Sequence, residues 1–238
     1  MAQNPADSIR RTVPQRTLGQ QVYGQLQETI LNGHLLPGTK LTLRGLATSL
    51  NTSIQPVREA VVRLAADGAL HATPNRSILV PVLTRAELDD LHSARVLVEG
   101  EAAARFAERA SEEDVAILSR INEDLRLAYD STDVVKIVTC IQSWGLRIAQ
   151  GSSSGVLQSA IFTLRLRLGP HLAEAMSAPA APDPDFLHFT VHINHEMVLA
   201  FRDRDPVRAR DLRRADILTF QRDLYQRLGL THRALVAG

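Results

Sequence analysis

Apolar side chains recur every three or four residues along most of this chain, and that rhythm predicts helices nearly throughout. Leu18, Val22, Leu26 and Ile30 form one stripe that ends at Gly33, a residue suited to the left-handed backbone of a helix terminus. Leu-Pro-Gly-Thr at 36–39 predicts a turn, after which Thr42 can cap a short helix with Leu43, Leu46, Ala47 and Leu50 on one side. A third helix is predicted from Ser53 as N-cap, with Pro56 in its first turn, where a missing N–H is no loss. Its Val57, Ala60, Val61, Leu64 and Ala65 share one face, Gln55, Arg58 and Val62 look elsewhere, and Gly68 stops it. The rhythm then changes. ALHATPNRSILVPV reads as two short extended runs around a Pro-Asn-Arg-Ser turn with Arg76 at its tip.

Beyond residue 83 the 3.6-residue period returns and no strand pattern appears. Breaks at Ser111/Asp114, residues 130–133, GSSSG (151–155) and SAPAAPDPD (177–185) divide six helices, near 85–109, 112–129, 132–150, 156–176, 185–203 and 206–228. The expected fold class is therefore mainly α: an N-terminal winged helix-turn-helix followed by an all-helical bundle. The divisions are an N-terminal arm over 1–17, the winged domain over 18–82 and the bundle over 83–238. Two short helices joined by a brief turn, the second presenting polar side chains from its first turns, is an arrangement that enters the major groove of DNA.

Composition narrows the classes. The chain has 238 residues with 45% hydrophobic side chains, enough for a core of ordinary size. No apolar run approaches the roughly 18 residues of a membrane span, and the start carries no secretory apolar core, so the cytoplasm is the expected location and no membrane partner is expected. A single cysteine, Cys140, permits no internal disulfide. Residues 1–82 hold eight Lys/Arg against four Asp/Glu, leaving 19 against 22 for the remainder, so the positive charge sits at the front, where an anionic partner would bind.

The run VYGQLQETILNGHLLPGTKLTLRGLATSLNTSIQPVREAVVRLAADGAL, with its PVREA core and following RL…DG, resembles the winged helix-turn-helix domain of the GntR family of bacterial transcription regulators over about residues 18–81. The resemblance implies binding to double-stranded operator DNA, with contacts falling on Arg44, Ser53, Gln55 and Arg58; Arg76, at the tip of the wing, is a further DNA-binding candidate. Members usually carry arginine after the capping Ser or Thr and glycine at the wing tip; here Ile54 and Ser77 stand there, which implies an altered operator or weaker affinity.

Arg95, Glu99 and the alanine-rich stretch after them, together with Asp205 and Ala209 near the end, resemble the ligand-sensing (FCD) domain of the fatty-acid-responsive subfamily. Many of its members hold a divalent metal through an Asp and a His four apart on one helix and a His from each of the last two helices. Alignment puts Ile141, Gly145, Asn194 and Asp216 at those positions, so the usual site is expected to be lost and no cofactor is expected. A one-residue shift would bring His195 into the third position, and His188, His192 and His195 share a helical face, which leaves a relocated metal site as the alternative.

A bundle without its cation can hold a carboxylate by arginine, because a guanidinium pairs with it bidentately. Arg95, Arg147 and Arg165 are the candidates, with His192, Asn194 and His195 as neutral partners, while Trp144 and Phe162 are expected in the core. The expected function is that of a homodimeric, ligand-responsive transcriptional regulator, a repressor released by a small metabolite such as an organic acid, with coupling through the junction near 82–92 and the dimer contact. Two alternatives remain: a helical scaffold that senses nothing, and an enzyme using His192 and His195 with Asp205 or Glu196 as base. Against the enzyme, the chain offers no Ser/His/Asp or Cys/His constellation and no glycine-rich phosphate loop.

Overall fold

A computed structural model describes residues 17–72, 77–178 and 184–230. Helix α1 (Leu18–Leu31) starts at a capping box in which Thr17 and Gln20 satisfy each other's backbone N–H, and it buries Val22, Leu26, Ile30 and Leu31. Strand β1 (Lys40–Thr42) leads into α2 (Leu43–Ser49), whose first turn is capped by the Thr42 hydroxyl accepting from the Gly45 N–H. Helix α3 (Ile54–Ala66) buries Val57, Ala60, Val61 and Leu64 and ends at Asp67 and Gly68, the latter at φ 70°.

Strands β2 (His71–Ala72) and β3 (Ser77–Leu79) make the wing, and β1 joins it, giving an antiparallel sheet in the order β1-β3-β2 with Leu41 opposite Ile78. The third strand is an addition to the sequence expectation, since three residues after a turn carry no readable period. Arg76 at the wing tip and the arm at 1–16 lie outside the described residues.

The remainder is helical: α4 (Arg85–Arg109), α5 (Glu112–Asp130), α6 (Val134–Gly151), α7 (Gly155–Met176), α8 (Pro184–Arg202) and α9 (Pro206–Arg227). Capping boxes at Thr84/Glu87 and Ser111/Asp114 open α4 and α5, and Asp133, Ser154 and Asp205 cap α6, α7 and α9. Helices α4 and α9 lie side by side, tied by Asp89 accepting from Gln221 and from the Tyr225 hydroxyl. One apolar core gathers Leu91, Leu125, Val138, Leu172 and Phe220; a second gathers Phe106, Trp144, Ile161 and Phe201, with the two Phe rings 4.6 Å apart.

The two domains meet along α7. Leu166 of α7 is buried within the apolar core of the winged domain. At Gly169 a Cβ would stand 2.6 Å from the Leu31 carbonyl oxygen and 2.7 Å from that of Ile30, so only glycine lets α7 cross the end of α1 this closely. The Leu83 N–H, at the junction, donates to His171 Nε2 at 3.0 Å, a buried bond that fixes the connecting segment to the same helix.

Candidate DNA interface and buried arginine cavity

Helix α3 offers its outer face to solvent. Ser53, Gln55 and Arg58 are exposed, as is Arg44 on α2. Ser53 occupies the N-cap position, but its hydroxyl makes no capping bond, which leaves it able to meet a phosphate. Gln55 donates from Nε2 to Glu59 Oε1 at 3.0 Å. Arg58 lines a groove of about 340 Å³ between α3 and the wing, together with Val62, Ala72 and Ser77. Arg44, Ser53, Gln55 and Arg58 are therefore all open to solvent, whereas Arg76 lies outside the described residues.

Inside the bundle the sequence places charges where apolar side chains would be expected. Arg95 and Glu99 sit four apart on α4, Arg165 on α7, and Arg213 and Asp216 three apart on α9. Arg95, Glu99, Arg165 and Arg213 are each no more than 3% exposed. Glu99 is the hub. Its Oε1 accepts from Arg95 Nε at 2.7 Å, and its Oε2 accepts from Arg165 Nη2 at 2.6 Å and from Arg213 Nη2. Burial pushes the Glu99 carboxyl up, but Arg165, Arg95 and Arg213 outweigh it and hold the group well below the usual range. Burial brings Arg165 down to about 10, opposed by Glu99, so it remains cationic at neutral pH. Arg213 also binds Asp216, whose carboxyl is pushed up by burial against the pull of Arg213.

Arg95, Arg165, Arg213 and Asp216 line a cavity of about 30 Å³ with Trp144, Ile141, Gln142 and Asn194, reached by side chains of both apolar cores, while Glu99 ties the three arginines together behind it. Arg165 Nη1 donates to the Ile141 carbonyl and to Gln142 Oε1, each at 3.1 Å, and Gln142 Nε2 donates to the Leu31 carbonyl at 3.0 Å. The cavity thus lies two hydrogen bonds from α1.

The family resemblance implies a divalent metal here, and the residues do not fit one. Ile141, Asn194 and Asp216 line the cavity and Gly145 abuts the Arg165 guanidinium beside it, so the four aligned positions do converge. Yet a side chain at Gly145 would overlap the Arg165 guanidinium, which fills the space a histidine there would take. Of the other three, Ile141 has no donor and the Asp216 carboxylate is held by Arg213. A divalent ion would face three guanidinium groups. Among the described residues no group of three or more His, Cys, Asp or Glu side chains is placed to hold a metal.

Three ligand candidates lie away from the cavity. Arg147 lies two residues beyond Gly145, about 200° round α6, and its guanidinium turns outward to Asp114. His192 and His195 lie one or two residues from the inward Asn194 and line an open groove with His188 and Tyr129 instead. His192 is 71% exposed, and Glu196 is paired with Arg208. Asp205 caps α9, so both acids of the enzyme alternative, Glu196 and Asp205, are engaged in contacts within the fold. Glu99, Gln142, Trp144 and Arg213 join the site beyond what the sequence predicts of it; Trp144 is core as expected, with its indole also on the cavity.

Two family models match: "Bacterial regulatory proteins, gntR family" over residues 18–80 and "FCD domain" over residues 90–218. The HTH-type transcriptional regulator McbR of Escherichia coli K12 is 33% identical over 152 residues, covering 64% of this chain and 69% of that protein. The HTH-type transcriptional repressor RspR of the same strain is 29% identical over 117 residues, 49% of this chain and 51% of RspR. The solved structure of E. coli McbR/YncC superposes with a TM-score of 0.82 at 28% identity, over 89% of this chain and 99% of that one. With a winged domain and a six-helix bundle both matched, the chain belongs to the GntR family of bacterial transcription regulators, in the group that carries an FCD domain.

Proposed function

We propose that this regulator is a homodimeric repressor released from its operator when a small organic acid enters the arginine cavity. The observation that carries the reading is the hydrogen-bond path from Arg165 through Gln142 to the Leu31 carbonyl of α1. A ligand that draws Arg165 toward itself competes with the bond to Gln142, and so has different contacts in the two arrangements of the winged domain, as any effector must. The repressor sense follows the relative RspR, a transcriptional repressor by name. Two winged domains would read half-sites about 34 Å apart or a multiple of that, as paired helix-turn-helix proteins do. Cytoplasmic residence accords with a DNA ligand, and no described helix is long and apolar enough to cross a membrane.

Selection of duplexes from a random library on the full chain tests this. The expected result is an inverted-repeat site whose affinity falls steeply with salt and whose complex has two chains per duplex. Recovery of no enriched sequence, or of a single unpaired half-site bound by one chain, would sink the dimeric operator reading. An enriched operator that no organic acid releases would leave a DNA-binding scaffold.

A further inference from the structure

The cavity has charge and hydrogen-bonding capacity that the protein itself does not use. Arg95, Arg165 and Arg213 face two carboxylates, Glu99 and Asp216, so one positive charge is in excess even with both acids ionised. An uncompensated charge out of water is costly. Arg165 Nε, Arg213 Nε and Trp144 Nε1 are buried without a hydrogen-bond partner among the described residues, and so is Asn194 Oδ1. All four belong to residues that line the cavity. Three idle donors against one idle acceptor is the complement of an oxyanion.

From this we infer that the cavity is a metal-independent site for a small monocarboxylate, held directly by the Arg165 and Arg213 guanidinium groups and the Trp144 indole N–H. The inference rests on the effector reading above and deepens it. With both acids ionised, a monoanion brings the cluster to neutrality and a dianion overshoots it. The space of about 30 Å³ admits only a few non-hydrogen atoms, since one water needs roughly 10–15 Å³ of such volume. A carboxylate oxygen has two lone pairs, so two oxygens can accept from all three idle donors at once. The Arg165 guanidinium, lodged in the room left by Gly145, supplies the positive charge that a cation would otherwise provide.

The test is thermal unfolding of the chelator-treated full chain with formate, acetate, propionate and butyrate, each beside its uncharged amide. The expected result is saturable stabilisation by at least one carboxylate, roughly 5–10 °C near saturation, with none from the amide and no gain from added zinc, nickel or manganese. Trp144→Phe keeps an aromatic side chain but removes the indole N–H and part of the buried ring; it should lower the ligand-free melting temperature and, measured from that new baseline, weaken carboxylate binding about tenfold. Arg165→Lys should abolish binding; should it fail to fold, Trp144→Phe still decides. Equal binding by acid and amide, a requirement for metal, no stabilisation by any acid, or unaltered affinity in Trp144→Phe would each overturn the site. The readouts separate the two proposals. A carboxylate that binds without releasing DNA keeps this site and overturns the regulatory reading, and release by a neutral or metal-borne ligand does the reverse.

Discussion

Gln142, on α6, donates its side-chain N–H to the backbone carbonyl of Leu31 at 3.0 Å, across the boundary between the helical bundle and the winged domain. The same carboxamide accepts from Arg165. One side chain thus reads the buried cluster with its oxygen and the end of α1 with its nitrogen. Both bonds are buried, so neither can be exchanged for water without rearrangement.

Gln142→Met keeps the length of the side chain and removes both bonds. The Leu31 carbonyl loses its partner, at a cost of about 1–3 kcal/mol in stability, while Arg165 keeps its bonds to Glu99 and the Ile141 carbonyl. Ligand affinity should therefore persist and operator affinity should change little, but the ligand should no longer alter operator affinity. Natural couplings lie near 1–3 kcal/mol, a 5- to 150-fold effect, and titrating operator binding with and without ligand would show that ratio collapse toward one. A ratio equal to the parent's would mean that the signal takes another route.

The crossing of α7 over α1 allows a paired test. Gly169→Ala would press a methyl group against the Leu31 and Ile30 carbonyl oxygens, and overpacking of this kind costs about 1–3 kcal/mol. Gly24 lies in the middle of α1, where a methyl group would meet nothing within 4 Å, so Gly24→Ala should stabilise by about 0.5–1 kcal/mol through helix propensity. Chemical unfolding of the two variants should move in opposite directions. A neutral Gly169→Ala would show that the domain contact yields easily.

Acid should loosen the bundle through two buried histidines. Burial lowers the His92 pKa to about 3, with Arg95 adding to the effect and Glu99 opposing it, and burial brings His171 down to about 4. In the unfolded chain both titrate near 6.5. Below that pH the unfolded chain binds more protons than the folded one, so stability is full above about 6.5, falls as pH drops toward 4 for His171 and 3 for His92, and then levels. The loss attributable to His171 is on the order of 3 kcal/mol. Protonation also removes the acceptor that Leu83 uses. Urea unfolding at pH 7.5, 6 and 5 should show this decline, and His92→Gln should flatten it; an identical slope in the variant would remove His92 from the account.

The helices were legible because their signals are local. Thr42, Ser111, Asp114, Gly33 and Gly68 act within one turn, and the structure uses each of them as its type suggests. The cavity was legible only in part, because it depends on helix rotation. Arg95, Arg165 and Asn194 meet as their positions predict, whereas Arg147 faces away because Gly145 is the residue of α6 that abuts Arg165. In LRRADI nothing local distinguishes Arg213, which is buried, from its more exposed neighbour Arg214. Gln142 reads as an ordinary helical glutamine until α7 brings Arg165 to one end of it and α1 brings Leu31 to the other. That Ile141 and Gly145 carry no ligating atoms, by contrast, is legible in the sequence wherever they point.

Arg58 separates base reading from backbone anchoring at the DNA face. It is exposed on α3, beside the groove to the wing, and makes no hydrogen bond or ion pair among the described residues. If its guanidinium reads a base edge, Arg58→Ala should cost about 1–3 kcal/mol on the operator and relax preference at one position, leaving nonspecific binding nearly intact. If it holds a phosphate, all sequences should weaken alike and the salt dependence should lose about one ion's worth of slope. Ile54→Arg supplies the comparison, because it restores the charge that family members carry after the capping residue. That variant should tighten binding to all duplexes and steepen the salt slope by about one. Fluorescence anisotropy on operator and scrambled duplexes across a salt series distinguishes these outcomes, and unchanged binding in Arg58→Ala would remove that residue from the interface.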